Sequence, residues 1–368
     1  MKKILFFIHD MMYGGAEKVL VNLVNNMDSN KYDITVMTLF DVGVNKEFLL
    51  PKIKYKSVFK RLFKGNTTLL KFFPPQFLYK YLIQDEYDVV VSYLEGSCTR
   101  IVGGAPKDIK KIAWVHISQD EKEFRKPYLS KKEAIRIYNN FNKIACVSKN
   151  VKENFEKLSR IKGIAEVVYN TNETDKILSL SKENVENCYL KNKEIKICGV
   201  AKIKPRKGFM RLAKVHKRLI EEGYKYHIYI LGEGDEKEKI QKYLDENNLQ
   251  DSFTFLGYDV NPYKYVAKCD LFVCPSFEEG FSTAVTESLI VGTPVVTTLC
   301  SGMTELLGKN NEYGIVTENS EEGIYLGLKR LLDDKELLLH YKQKAMERGK
   351  EFSTMKTVKQ TEDFIDCL

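Results

Sequence analysis

Short runs of apolar, β-branched residues recur along the chain, and between them apolar positions return every three or four residues. Runs of the first kind, bounded by turn residues, predict buried strands; spacing of the second kind predicts amphipathic helices. In the front half the strands fall at 3–9, 33–39, 53–56, 88–93, 111–115, 143–147 and 166–169, with helical patterns such as 15–27, 97–104 and 149–158 between them. A polar stretch at 171–193 interrupts the pattern. It resumes with strands at 195–201, 226–231, 253–256, 270–274, 294–298 and 314–317, separated by helices at 209–222, 236–247, 281–291 and 321–346. Strand–helix alternation argues for a parallel sheet covered on both faces, and two rounds of it argue for two such sheets. The expected architecture is α/β, with one domain over 1–170, a hinge over 171–193 and a second domain over 194–350. A last helix within 351–368 is expected to pack back on the first domain. A chain of 368 residues is also longer than one hydrophobic core usually organises.

Open parallel sheets bind ligands beyond the carboxyl ends of their strands, beside helix N-termini. The loops after the strands are therefore where chemistry is expected. After the first strand stands Tyr13-Gly14-Gly15-Ala16-Glu17, which is not the dinucleotide fingerprint; Gly232-Glu233-Gly234, after the 226–231 strand, is too short to be one. The richest loop follows Cys274: Pro275-Ser276-Phe277-Glu278-Glu279-Gly280-Phe281-Ser282, with a helix expected from about Phe281, Glu287 two turns into it, and Gly292-Thr293-Pro294 closing it. Gly280 lets backbone approach a ligand, and free N–H groups at a helix start suit phosphate oxygens. Lys202-Ile203-Lys204-Pro205-Arg206-Lys207-Gly208 follows another strand. Alone, such a run is a solvated loop, but the strand before it and the glycine after it make it a candidate anion site.

These motifs together resemble the retaining GT-B glycosyltransferases, family four in particular. Glu279 and Glu287 match the family's E-x₇-E signature, and Cys198 to Gly208 is similar to its donor-phosphate strand and loop. Gly14-Gly15-Ala16-Glu17 resembles its glycine loop, and Gly257-Tyr258 with Asn261-Pro262-Tyr263 resembles the segment beside the base. The resemblance implies two Rossmann-like domains facing across a cleft, with the donor, a nucleotide diphosphate sugar and by family frequency a UDP-sugar, held by the second. Lys202 and Lys207 would neutralise the diphosphate, the main catalytic term in such chemistry. Glu287 would hold the ribose and Glu279 the donor sugar, with N–H groups of Gly280, Phe281 and Ser282 on sugar and phosphate. Gly257, Tyr258 and Tyr263 would line the base side, and Gly14 and Gly15 would let the front loop close on the diphosphate. His116, ending Ala113-Trp114-Val115-His116, matches the family's cleft histidine. Where the family carries arginine this chain has Lys202, which keeps the charge but loses the two-pronged fork.

No Asp-x-Asp metal site follows a suitable strand, so the implied mechanism needs no metal or cofactor, and substitution on the front face would retain the α configuration. The acceptor implied is a lipid-linked saccharide in cell-surface polysaccharide assembly. A soluble protein or sugar acceptor, a silent binding subunit and a nucleotide-sugar epimerase are the alternatives. His9 also stands at a strand end, as cleft lining or as a structural histidine, and Glu95 by its position is a candidate acceptor contact; His216, His227 and His340 fall inside element patterns and take no role.

Composition changes this picture little. A charge of +8 suits anionic small molecules or an anionic membrane surface, and no basic block or motif points to nucleic acid. From Lys52 to Lys80, eight basic residues are interleaved with Phe59, Leu62, Phe63, Phe72, Phe73 and Phe77, which fits either peripheral membrane contact or an amphipathic helix packed on the first sheet. Eight cysteines (98, 146, 188, 198, 269, 274, 300, 367) lack Cys-x-x-Cys spacing and read as reduced core thiols of a cytoplasmic protein. Met1-Lys2-Lys3 and the apolar run after it imitate a signal peptide, but Asp10 ends the run too early. No run is long enough to span a bilayer.

Overall fold

The computed structural model describes residues 1–12, 14–185 and 194–368; Tyr13 and Cys188 lie outside them. The chain forms two compact units, Met1–Asn172 with Thr354–Leu368, and Glu173–Ser353. The first holds a seven-stranded sheet of Lys2–Ile8 (β1), Tyr32–Phe40 (β2), Lys54–Phe59 (β3), Val89–Ser92 (β4), Lys110–Val115 (β5), Lys143–Cys146 (β6) and Ala165–Val167 (β7), in the order β3-β2-β1-β4-β5-β6-β7. The second holds six strands, Ile195–Val200 (β8), Tyr226–Leu231 (β9), Phe253–Gly257 (β10), Leu271–Cys274 (β11), Val295–Thr298 (β12) and Ile315–Thr317 (β13), in the order β10-β9-β8-β11-β12-β13. Every recorded strand pair is parallel. Each sheet reverses its winding once, between β1 and β4 and between β8 and β11, and the crevices at these switch points are where such sheets bind ligands.

The strands read as continuous apolar runs because helices cover both faces. In the second unit Ile197, Ile228, Ile230 and Val273 meet Leu212, Val215 and Leu219 of the helix Phe209–Glu221. In the first unit the last helix, Thr354–Asp366, buries Phe364 and Ile365. Its Asp366 pairs with Lys2 at 3.1 Å and with Lys31. Gln360 bonds the backbone of Val167 and Tyr169, at 3.2 and 3.1 Å.

Several elements differ from the sequence reading. The helix expected over 321–346 is two, Glu321–Asp333 and Lys335–Gly349, because Asp334 leaves helical geometry and caps the second through Leu337 N–H. The stretch 52–80 is not one amphipathic helix: it supplies strand β3 and two short helices, Asn66–Lys71 and Pro75–Leu82. The polar stretch 171–193 contains the helix Thr174–Ser181, which packs Ile177 against Tyr263 and Ile290. No described helix is long and apolar enough to cross a membrane.

Candidate functional site

The loops after β8, β9, β10, β11 and β12 lie at the carboxyl edge of the second sheet, and glycines decide how closely they approach. Gly232 has φ +137°, and a Cβ there would stand 1.9 Å from the Ala201 carbonyl; one on Gly234 would stand 2.1 Å from that of Ile203. Only glycines let the β9 loop lie under the Lys202 loop, whose Ile203 N–H donates to Glu233 O of the β9 loop at 3.0 Å. Gly232 N–H in turn donates to Gly257 O at 2.8 Å, tying the β10 loop to the same place. Gly208 sits at φ +71°, and its Cβ would meet the Pro275 carbonyl at 2.0 Å. Phe277 N–H donates to Arg206 O at 2.8 Å.

That contact delivers Lys207 to the β11 loop. Its Nζ lies 2.5 Å from Glu279 Oε1, with both side chains largely buried. Ser276 Oγ donates to the same oxygen at 2.7 Å. Beneath them Arg211, almost fully buried, donates from Nε to Pro275 O at 2.7 Å and from a terminal nitrogen to Ser276 O at 2.6 Å, and lies 3.9 Å from the Phe277 ring centroid. Charge-assisted bonds of this kind contribute roughly 1.5–3 kcal/mol each and fix the loop's path.

The following helix begins at Thr283, not Phe281: Ser282 is its N-cap, accepting Val285 N–H at 3.4 Å. Glu287 therefore stands about one turn in, not two. It is mostly buried, and Tyr263 OH donates to its Oε1 at 3.2 Å. The Gly280–Ser282 backbone joins the two carboxylates, buried throughout. Gly257 takes φ +78°, and the Tyr258 side chain after it is mostly exposed. Lys202 lies in the loop after β8. Gly302, which sequence reasoning passed over, has φ +77°, and its Cβ would meet the Gly280 carbonyl at 2.7 Å. Its signal was a glycine between a strand and a helix, the same position that had singled out Gly280. Among the described residues no group of three or more His, Cys, Asp or Glu comes together as a metal site.

In the first unit Gly14 caps and Gly15 opens the helix Gly15–Asn26 after β1. The loop before them is braced by Asn45, whose N–H donates to Met11 O at 3.0 Å, and by Gly43, whose Cβ would overlap the Met11 carbonyl carbon at 2.0 Å. His116 directly follows β5, buried, in ring contact with Tyr93 (4.9 Å) and Trp114 (6.4 Å). Burial pushes its pKa down to about 4, against a hydrogen bond with the Tyr93 backbone, so the ring is neutral at pH 7. Its Nε2 has no partner, and neither do Tyr93 OH and Trp114 Nε1 in the same cluster. With the other nitrogen donating to Tyr93, Nε2 carries a lone pair able to accept a hydrogen bond. Glu95, from the β4 loop, reaches across and accepts the N–H groups of His116 (2.5 Å) and Ile117 (2.9 Å) on one oxygen. Burial pushes its carboxyl up to about 7, although three backbone N–H bonds pull it down. His9 Nδ1 is paired with Asp10 at 2.7 Å.

The seven described cysteines are unpaired, and five of them are buried. Burial pushes the Cys146 thiol up to about 12 and that of Cys300 to about 11, so neither is a thiolate at neutral pH.

Two family models match, "Glycosyl transferases group 1" over residues 181–348 and "Glycosyltransferase Family 4" over residues 13–176. A Campylobacter jejuni N-acetylgalactosamine-N,N'-diacetylbacillosaminyl-diphospho-undecaprenol 4-alpha-N-acetylgalactosaminyltransferase is 29% identical, over 97% of both chains. Among solved structures, Anabaena HepE in complex with UDP superposes with a TM-score of 0.80 over the full length of both chains at 16% identity. Staphylococcus aureus TarM, in a mutant complex that includes UDP, gives 0.76 at 15%, again over both full lengths.

Proposed function

Starting from the chain's membership of the group 1 and family 4 glycosyltransferases, with their GT-B fold, we propose that it moves a sugar, with retention, from a UDP-sugar to a lipid-linked saccharide in the synthesis of a bacterial cell-surface polysaccharide. The observation that carries the donor half is the Lys207–Glu279–Ser276 cluster, joined through the Gly280–Ser282 backbone to the Glu287–Tyr263 pair. It offers a cation and helix-start N–H groups for a diphosphate, one carboxylate for a sugar and a second for a ribose diol.

In this reading Lys202 and Lys207 take up the charge that grows on the diphosphate as its bond to the anomeric carbon breaks. The acceptor oxygen bonds to that carbon on the same face, and its proton passes to the leaving diphosphate oxygen, so no divalent cation is needed. Gly257, Tyr258 and Tyr263 border the base, and the N–H groups opening the helix at Gly15 suit an anionic group. His116 Nε2 accepts a sugar hydroxyl. The lipid-linked acceptor is supported by the Campylobacter jejuni relative's name, which specifies a diphospho-undecaprenol substrate. Peripheral membrane contact is supported by the exposed Phe72, Phe73 and Phe77, with Lys80 on the same helix as Phe77.

A thermal-shift series against UDP, GDP, ADP and their sugars tests the donor, with EDTA present to test the metal. Stabilisation by UDP that survives EDTA is expected; no response to any nucleotide would sink the donor site. Donor turnover only with a lipid-linked saccharide separates this reading from a soluble acceptor, and product formed without any acceptor would reveal an epimerase.

A further inference from the structure

The first unit displays an apolar ridge and a charged hollow that rest on one buried ion pair. In the helix Pro75–Leu82, Leu78 and Tyr79 face inward while Phe77 and Tyr81, one turn apart, face out with ring centroids 4.3 Å apart. Phe73 stacks on Phe77 at 6.0 Å, and Phe72 beside it is 73% exposed. An aromatic ladder of this kind in water is costly unless something covers it.

Its base is rigid. Arg100, almost fully buried, donates to the carbonyls of Leu70, Lys71 and Phe73, each at 2.9 Å, and to Glu133 Oε1 at 2.9 Å. The other oxygen of Glu133 accepts Leu129 N–H at 2.6 Å. One ion pair thus ties the apolar turn at 70–73 to the loop ending at Leu129. In the hollow beside them, of about 610 Å³, the cations are Lys71, Lys122, Arg125 and Lys126. Its two carboxylates, Asp120 and Glu123, are engaged in a reciprocal cap at the start of the helix Glu121–Arg125. Four cations against two carboxylates leave a surplus of two positive charges, and none of the four cations lies within ion-pair distance of a described carboxylate.

We propose that the hollow and ridge together dock a membrane-held polyisoprenoid diphosphate, the aromatic ladder entering the leaflet and the four cations gripping the doubly anionic diphosphate between lipid and saccharide. The proposal rests on the lipid-linked acceptor reading above. Charge complementarity favours it over a general anionic surface, because the cations are gathered in a concavity that fits one discrete group. Chain geometry agrees: Lys122 lies six residues beyond His116, a reach of at most about 20 Å, which suits a short saccharide between lipid and reacting sugar.

The test is flotation of the full chain with phosphatidylcholine vesicles carrying undecaprenyl diphosphate, against vesicles of equal charge carrying phosphatidylglycerol. The wild type should prefer the diphosphate vesicles by about tenfold or more. K122S/R125S/K126S should abolish that preference, F72S/F77S should weaken binding to both vesicles, and the UDP thermal shift should persist in every variant. Equal affinity for the two vesicles, or an intact preference in the triple variant, would overturn the proposal. Loss of the UDP response in the wild type would instead count against the donor reading.

Discussion

The carboxyl edges of the two sheets solve the problem of buried polarity in opposite ways. In the second unit the charges are paired: Lys207 with Glu279, Arg211 with a row of carbonyls, Tyr263 with Glu287. In the first unit the His116 ring is neutral, and Nε2 of His116, the Tyr93 hydroxyl and Nε1 of Trp114 have no partner. A paired site tolerates being empty, because its charges are already compensated, and it exchanges one partner when an anion arrives. An unpaired site pays desolvation until a hydroxyl fills it. The contrast is in keeping with the proposed division, ionic recognition at one sheet edge and hydroxyl recognition at the other.

The largest effect is expected at the ionic edge. Lys207→Ala should lower donor kcat/KM by about 100- to 1,000-fold, since it removes the cation and leaves Glu279 buried without it. Glu287→Ala should abolish the UDP thermal shift while leaving the fold intact by circular dichroism; near-normal turnover in either variant would reject the assignment. Next comes Gly208→Ala, where a left-handed φ costs roughly 1–2 kcal/mol before the overlap with Pro275 is counted, so both denaturation midpoint and donor affinity should fall. An unchanged midpoint would show that the loop contact is soft.

A smaller effect tests the neutral edge. Glu95→Gln keeps an acceptor for the His116 and Ile117 N–H groups but removes the charge. Because the folded carboxyl is raised to about 7, its stabilising share is full below the ordinary value of 4.5 and is lost as pH rises through 7. The variant should therefore melt a few degrees above wild type at pH 8 and level with it at pH 4.5. His116 works in the other direction: lowered to about 4, it costs stability as pH falls from 6.5 towards 4, equally in both proteins. A melting difference that ignores pH would remove Glu95 from this role. The smallest effect is expected for Lys202→Arg, a change in donor KM of about threefold or less, since charge is kept and only the fork is added.

Most of the fold was legible because continuous apolar runs and glycine-bounded loops are local signals: all thirteen strands lie within a few residues of where hydrophobic periodicity put them. Boundaries failed where a polar side chain overrode the pattern, as Asp334 did in splitting one long helix and Ser282 in delaying another. The site was legible as loops, not as contacts. Lys207 and Glu279 are 72 positions apart, and nothing in either segment says that they touch. Arg211 was missed because it lies in the buried stripe of an otherwise ordinary amphipathic helix, where a lone cation is the only clue. Gly232 and Gly234 were weighed only against a dinucleotide motif, whereas their work is to let two backbones lie together.

The helix Thr354–Asp366 belongs to the first unit, yet it is made after every residue of the second. A ribosome therefore releases Lys2, Lys31 and Val167 long before the partners Asp366 and Gln360 exist. Throughout synthesis of the intervening residues the first sheet must wait with one flank unclosed, and it can lock only after the whole second unit has been made.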